Sequence, residues 1–163
     1  MNRTINFATL KKDFDISVSA ASITETTMTK DVQQYRVLLI DDSQNIRVLV
    51  KKLLSNYGFQ NIEMAENGLI GLQKIQSFSP DIIFLDGIMP EMDGLTVLRE
   101  VKTHHRETVV IITTSLSSKE MVLQFKESGA DFYLLKPFEE KKFSEVIEKA
   151  VTLVEQRKQQ RPV

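Results

Sequence analysis

Five side chains that could bind a metal ion or a phosphoryl group directly follow or end short apolar segments of the chain. Asp41 and Asp42 follow the first of these segments. Asp86, Thr114 and Lys136 each follow one of three later segments. Carboxylates that crowd together repel one another, and a hard divalent cation with oxygen ligands relieves that repulsion. Mg²⁺ suits such a site because it needs few protein oxygens and keeps its other positions for water or substrate oxygens.

The same residue types fit the chemistry of phosphoryl transfer. A carboxylate can attack phosphorus to give an aspartyl phosphate, and it then needs positive charge on the transferring oxygens more than it needs a base. Lys136 and the metal ion would supply that charge. The hydroxyl of Thr114 could donate a hydrogen bond to a phosphoryl oxygen, so it would also sense whether the group is present.

Each of these residues also has an ordinary structural explanation when it is taken alone. Either Asp42 or Ser43 could cap a helix, and Asp86 is followed by Gly87 in a stretch rich in turn residues. A single lysine such as Lys136, before a proline, is usually solvated. The chemical interpretation therefore depends on whether the fold brings these residues together.

Apolar periodicity predicts five strand and helix pairs, in which a short buried strand precedes an amphipathic helix each time. Gly58 stands where a left-handed residue would end the first helix. The predicted strands are 37–40, 62–65, 82–85, 109–113 and 132–135, and the predicted helices are 46–57, 68–77, 95–102, 119–128 and 140–156.

Short strands that are apolar on both sides and alternate with helices indicate a parallel sheet covered on both faces. The predicted class is therefore a doubly wound α/β fold with right-handed crossovers. Ligands of such sheets bind at the carboxyl ends of the strands, where the chemically active residues of this chain stand. We expect these side chains to converge at one edge of the sheet.

Composition excludes several classes of function. The 163 residues include 22 acidic and 21 basic side chains, so the chain lacks the positive charge that would favour nucleic acid or an anionic membrane as a partner. Cysteine is absent, which excludes disulfides and thiolate chemistry. No run has the length and apolar character of a signal peptide or a membrane span, so the sequence predicts a soluble, cytoplasmic protein.

The predicted organisation is one domain between two short segments. Residues 1–34 are rich in hydroxyl side chains without a sustained apolar period and are predicted to form a flexible extension. Residues 35–157 form the predicted domain, and 158–163 a short tail. The tail is too short for a helix-turn-helix module, which argues against a transcription factor.

The order and spacing of these residues resemble the receiver domains of two-component response regulators, most closely the single-domain chemotaxis type. The resemblance covers about residues 36–154. It is carried by Asp41 and Asp42, the segment Asp86, Gly87, Ile88, Met89, Pro90, Glu91, Met92, Asp93, Gly94, then Thr114, Gly129, Ala130, Tyr133, Lys136, Pro137 and Phe138.

The resemblance implies a flavodoxin-like fold, with a five-stranded parallel sheet in the order 2-1-3-4-5 and helices on both faces. It implies that Asp86 accepts the phosphoryl group and that Lys136 pairs with this group. The implied Mg²⁺ ligands are Asp42, Asp86 and the backbone carbonyl of Ile88, whereas Asp41 reaches the ion largely through water.

The resemblance also implies how the signal leaves the domain. The hydroxyl of Thr114 would move toward the phosphoryl group and Tyr133 would turn inward, which remodels the surface of the fourth helix, fifth strand and fifth helix. The expected partners are a sensor histidine kinase or phosphotransfer protein and a downstream protein target. The domain would be a monomer or a phosphorylation-dependent dimer. It would not be an enzyme, since its chemistry would be limited to its own phosphorylation and dephosphorylation. The bond between Lys136 and Pro137 is expected to be cis.

Two apolar residues predict a long-lived phosphoryl state. Ile88 stands two residues after the expected phosphoacceptor, and Leu116 stands two residues after Thr114. Polar groups at these positions help to orient the attacking water in faster members of the family.

Three other functions fit the sequence less well. A phosphorylation-independent pseudo-receiver would have no physical need of a crowded acidic site. A phosphatase of the haloacid dehalogenase type would need a second acid at position 88, where this chain has isoleucine. A flavodoxin-like cofactor carrier would need a phosphate-binding loop at Asp41 and Asp42, whose carboxylates repel phosphate.

Overall fold

The computed structural model describes residues 31–115 and 118–160. A short 3₁₀ helix, Val32–Gln34, precedes five strands that alternate with five helices. The strands are β1 (Arg36–Ile40), β2 (Asn61–Ala65), β3 (Ile82–Asp86), β4 (Val109–Thr114) and β5 (Phe132–Leu135). The helices are α1 (Gln44–Asn56), α2 (Gly68–Phe78), α3 (Gly94–His104), α4 (Lys119–Glu127) and α5 (Glu140–Gln159).

The five strands form one parallel sheet in the order β2-β1-β3-β4-β5, which confirms the predicted topology. All residues of β3 and β4 are buried, as the apolar runs predicted. The edge strands β2 and β5 are only partly buried because each has a neighbour on one side alone. The sequence order reverses its direction between β1 and β3, so the carboxyl ends of these two strands face a crevice.

Both faces of the sheet are covered by helices, and alternate residues of each strand enter different cores. On one face, Val37 and Leu39 of β1 pack with apolar residues of α1 and α5. On the other face, Leu38 and Ile40 pack with residues of α2, α3 and α4. The period of two along each strand therefore divides one apolar run between two cores, which explains why the run is uninterrupted.

The helix ends follow the sequence signals. Gly58 has a φ of 101°, so the left-handed residue predicted after α1 is confirmed. Ser43, not Asp42, caps the start of α1, because its side chain accepts a hydrogen bond from the backbone N–H of Ile46 at 3.5 Å. The carboxylate of Asp42 is thus not used as the cap.

The last helix is longer than predicted. α5 ends at Gln159, about three residues beyond the predicted end, and takes in two residues assigned to the tail. Arg157 bonds to Asp131, and the ammonium of Lys158 lies 2.9 Å from the carboxylate of Asp81. These ion pairs hold the final turn against the sheet, which periodicity could not show because both residues are charged.

Three predictions concern residues outside the described ones. The predicted flexible extension lies mostly there, except that Val32–Gln34 forms the 3₁₀ helix and Gln33 accepts a bond from Asn61. The position of Leu116 and that of the last three residues of the predicted tail also lie outside the described residues. Among the helices that are described, none combines the length and apolar character needed to cross a membrane.

Candidate functional site

The carboxyl ends of β1 and β3 bring three carboxylates together. Oxygens of Asp41, Asp42 and Asp86 lie within 4.8 Å of one another. Asp41 and Asp86 are buried, with 4% and 5% of their surface exposed, whereas Asp42 is exposed. The convergence predicted from the carboxyl ends of parallel strands is therefore confirmed, and the cluster is open to solvent on the side of Asp42.

Asp86 is held at the centre of the sheet edge. It is the last residue of β3, in register with Thr113 of β4, and the N–H of Gly87 donates to the Thr113 carbonyl at 2.9 Å. The Oδ1 atom of Asp86 accepts a hydrogen bond from the backbone N–H of Ile88 at 3.1 Å. This bond fixes the carboxylate rotamer, so the side chain meets an incoming group in one orientation.

The N–H group and both carboxylate oxygens of Asp41 make hydrogen bonds. Its N–H donates to the carbonyl of Ala65 at 3.2 Å, which extends the pairing of β1 and β2 by one residue. Its Oδ1 atom accepts from the N–H of Ser43 at 2.9 Å, and its Oδ2 atom accepts from Lys136 at 2.6 Å. The carboxylate is thus both part of the turn and part of the charged cluster.

Lys136 supplies positive charge to two of the carboxylates. Its Nζ atom lies 2.6 Å from Asp41 Oδ2 and 3.3 Å from Asp86 Oδ2, and only 14% of its side chain is exposed. Its backbone N–H donates to the carbonyl of Thr114 at 2.9 Å, which continues the β4 and β5 ladder. The bond between Lys136 and Pro137 is cis, as expected.

Burial raises the pKa of Asp86 to about 6, because the charged form loses hydration. The Ile88 N–H and the Lys136 ammonium lower this pKa, and the charge of Asp41 raises it, but burial outweighs them. Near neutral pH, Asp86 is therefore ionised in an environment that does not fully compensate its charge. Such a carboxylate gains from an additional cation.

The donor set fits Mg²⁺. Three carboxylates carry a formal charge of about −3 when ionised, and Lys136 balances only one of these charges. Hard oxygen ligands from Asp41, Asp42 and Asp86, with one face open to water, match the preference of this ion. The backbone carbonyl of Ile88 stays a predicted ligand, and the Ile88 side chain is 42% exposed.

The two predicted switch residues lie next to each other. Thr114 is fully buried at the end of β4 and hydrogen-bonds with the side chain of Tyr133 on β5. Burial raises the pKa of Tyr133 to about 12, against a smaller lowering by Thr114. The Tyr133 ring packs on Phe125 of α4 at 6.4 Å between centroids. Tyr133 therefore contacts both a residue of the site edge and a residue of α4.

Thr114 also approaches the segment that follows Asp86. Its Cβ atom lies 3.4 Å from the position that a Cβ on Gly87 would occupy. The structure thus brings Asp41, Asp42, Asp86 and Lys136 into one cluster, with Thr114 beside it and Tyr133 one contact further away.

Sequence reasoning missed two residues that shape the site. A Cβ on Gly94 would overlap the carbonyl oxygen of Asp86 and lie 2.9 Å from the Cα atom of Gly87, so the start of α3 packs tightly on the site backbone. Arg47 of α1 donates from Nη1 to the backbone carbonyl of Asp41 at 2.7 Å. Gly94 was noted as part of a motif, without this reason, and Arg47 carried no signal.

Comparison with known proteins identifies a family whose members match the region that holds the acidic cluster. The model of a family described as "Response regulator receiver domain" matches residues 37–148, which include the whole cluster. Two chemotaxis proteins CheY are similar to the chain. That of Bacillus subtilis (strain 168) is 33% identical over 117 residues, which cover 72% of this chain and 98% of that protein. That of Listeria monocytogenes is 33% identical over 115 residues, with coverage of 71% and 97%.

A solved structure agrees with the fold. The structure of Vibrio cholerae chemotaxis protein CheY4 is similar with a TM-score of 0.67 and 30% identity, and the match covers 71% of this chain and 98% of that chain. The sequence and structure comparisons therefore select the same region and the same architecture.

Proposed function

The chain belongs to the response regulator receiver domain family, and from this premise we propose that Asp86 accepts a phosphoryl group from a phosphohistidine donor. The donor would be a sensor histidine kinase or a phosphotransfer protein. The phosphorylated domain would then signal through protein contacts of α4, β5 and α5. The chain acts in this proposal as a signalling switch whose chemistry is limited to its own phosphorylation and dephosphorylation.

One observation carries the proposal. The carboxylate of Asp86 is buried and oriented by the N–H of Ile88, while the ammonium of Lys136 lies 3.3 Å from its Oδ2 atom. A nucleophilic carboxylate needs a fixed direction of approach and positive charge near the incoming oxygens. Both conditions are met at Asp86; Asp41 has the same kinds of partner, but Lys136 holds its Oδ2 atom more closely, at 2.6 Å, which leaves that oxygen less available for attack.

The transfer step balances without a further reactant. An oxygen of the Asp86 carboxylate forms a bond to phosphorus, the P–N bond of the donor breaks, and the electron pair returns to the imidazole nitrogen. When bound by the acidic cluster, Mg²⁺ would neutralise charge on the transferring oxygens. The ammonium of Lys136 would then pair with a phosphoryl oxygen instead of with Asp86. Asp41 would still be held by its hydrogen bonds with Ala65 and Ser43.

The contact between Thr114 and Tyr133 supports a route for the signal. A phosphoryl group on Asp86 offers the Thr114 hydroxyl a charged acceptor, and hydrogen bonds to charged acceptors are stronger than neutral ones. Movement of Thr114 would break its bond with Tyr133. Since the Tyr133 ring packs on Phe125, this change would reach α4 and thereby the proposed output surface.

The proposal is tested by intact-mass analysis after incubation with acetyl phosphate and Mg²⁺. We expect one phosphoryl adduct in the wild type and none in Asp86→Asn or in the presence of excess chelator. A matched control is Asp93→Asn, which changes another aspartate of the same loop and should label like the wild type.

Failure of a folded wild-type protein to form the adduct would instead support the phosphorylation-independent pseudo-receiver. An adduct that persists in Asp86→Asn would assign the phosphoryl group to another residue and would equally contradict the proposal.

A further inference from the structure

Arg47 connects both ends of the turn that carries the acidic pair. Its Nη1 atom donates to the carbonyl of Asp41 at 2.7 Å, and its own N–H donates to the carbonyl of Ser43 at 3.1 Å. The side-chain bond is partly buried. Because a guanidinium is planar and permanently charged, it is a strong donor to a carbonyl and holds a defined direction.

The bonded carbonyl belongs to the peptide unit between Asp41 and Asp42. Peptide units are planar, so fixing this oxygen also fixes the direction in which the chain leaves Asp41 and enters Asp42. Asp41 has other anchors in Ala65 and Lys136. Asp42 is exposed, and its carboxylate lies within 4.8 Å of the other two, so the direction in which its backbone leaves this peptide bears on where that carboxylate stands.

Resting on the proposed function, we propose that Arg47 is a positioning residue for the cation site. Its bond to the Asp41 carbonyl holds the peptide between Asp41 and Asp42 in the orientation in which three carboxylates converge. Arg47 touches neither the ion nor the phosphoryl group in this proposal. It acts through the backbone, and its effect is that of outer-shell partners of metal ligands, which orient the ligands without touching the ion.

The charge of Arg47 has the opposite effect on cation binding. A guanidinium repels Mg²⁺, so removing it would tighten the binding if Coulomb repulsion were its main contribution. If Arg47 positions the ligands, removing it weakens the binding. The direction of the change in Mg²⁺ affinity therefore separates positioning from simple electrostatics.

The test is titration with Mg²⁺ of the wild type, Arg47→Met and Arg47→Lys, followed by a spectroscopic or calorimetric signal that needs no phosphodonor. We expect Kd to rise on the order of tenfold in Arg47→Met and less in Arg47→Lys, which keeps one donor. The matched control is Lys51→Met, which removes one positive charge from the exposed side of the same helix. Its Kd should stay equal to the wild-type value or fall slightly.

Unfolding in the presence of chelator shows whether each variant is folded. If Arg47→Met does not fold, Arg47→Lys and Arg47→Gln replace it, because both keep a polar head group. An unchanged or lower Kd in folded Arg47→Met, or in folded Arg47→Gln where it replaces Arg47→Met, overturns the proposal, as does a wild type that binds no Mg²⁺.

Acetyl phosphate labelling of the same samples separates this inference from the proposed function. A wild type that binds Mg²⁺ but does not label would contradict phosphorylation of Asp86 and leave the effect of Arg47 on Kd measurable. A wild type that labels, with equal Mg²⁺ affinity in all variants, would contradict the role of Arg47 alone.

Discussion

The ammonium of Lys136 lies 2.6 Å from the carboxylate of Asp41, although 95 residues separate them and two strands lie between β1 and β5. The lysine reaches this position because its backbone N–H bonds to the Thr114 carbonyl and so continues the ladder of β4 and β5 to the edge of the sheet. Lys136 follows the edge strand β5 and contacts both Asp41 and Asp86.

Replacing Lys136 by methionine should separate the charge of the site from its shape. The carboxylates of Asp41 and Asp86 would lose their common cation, so we expect lower stability in chelator and substantial recovery when Mg²⁺ is added. Acetyl phosphate labelling should slow on the order of a hundredfold, as for loss of a preorganised charged donor.

Lys142→Met is the control for that change, because Lys142 is paired with Glu145 of the same helix, α5, instead of with an aspartate of the cluster. It should label at the wild-type rate. Normal labelling of folded Lys136→Met would show that the ammonium does not assist the transfer.

Stability should depend on pH through Asp86. Its pKa is raised to about 6 in the folded protein, so the stability linked to its protonated form is present below its ordinary pKa and is lost as pH rises through 6. Asp86→Asn cannot ionise. In chelator, the variant should therefore gain stability relative to the wild type between pH 4 and pH 7, by on the order of 1–3 kcal/mol.

Denaturant unfolding at several pH values measures this difference, and added Mg²⁺ should reduce it at pH 7. A gap between Asp86→Asn and the wild type that is the same at pH 4 and pH 7 would show that burial does not disfavour the charged carboxylate.

A single methyl group at Gly94 should displace the backbone of Asp86 and so disturb the site. The Cβ of Gly94→Ala would overlap the Asp86 carbonyl, and backbone cannot yield as a flexible side chain can. We expect a loss of roughly 2–4 kcal/mol of unfolding free energy and weaker Mg²⁺ binding.

Gly58→Ala provides the comparison, since its φ of 101° strains an alanine, whereas the one contact its Cβ would make among the described residues is with Val32 at 3.4 Å. It should cost about 1 kcal/mol and leave Mg²⁺ affinity unchanged. Equal effects of both substitutions on Mg²⁺ binding would remove the special role of Gly94.

The lifetime of the phosphoryl group should depend on Ile88. Its exposed, apolar side chain cannot orient an attacking water, whereas Ile88→Asn could. We expect the adduct of the wild type to outlast that of Ile88→Asn severalfold when decay is followed by mass after removal of the donor. Ile88→Val should decay at the wild-type rate. Decay of the wild type within seconds would contradict the prediction.

The doubly wound parallel sheet could be predicted because short uninterrupted apolar runs alternate with amphipathic helices, whereas the strand order came from the resemblance to the receiver family. Residues such as Leu38 and Leu39 enter opposite cores, so the uninterrupted apolar run indicates a strand buried on both faces. The convergence of Asp41 and Asp86 then followed from parallel topology alone. Their individual roles did not follow from it, since they depend on the resemblance to a known family.

The remaining contacts could not be predicted because they join residues without a sequence pattern. Arg47 is one of many charged residues on an amphipathic helix, and periodicity says only that it is not in the core. The last turn of α5 depends on the pairing of Lys158 with Asp81, which the sequence separates widely. Side chains that bond to backbone or close long-range ion pairs are decided by tertiary structure.

Mapping of the modified residue tests directly whether Asp86 accepts the phosphoryl group. Borohydride reduces an aspartyl phosphate to homoserine, so tandem mass spectrometry of the peptides from labelled and reduced protein identifies the acceptor. We expect homoserine at position 86, dependent on Mg²⁺ and on the phosphodonor. Homoserine at position 41, 42 or 93, with Asp86 unmodified, would contradict it.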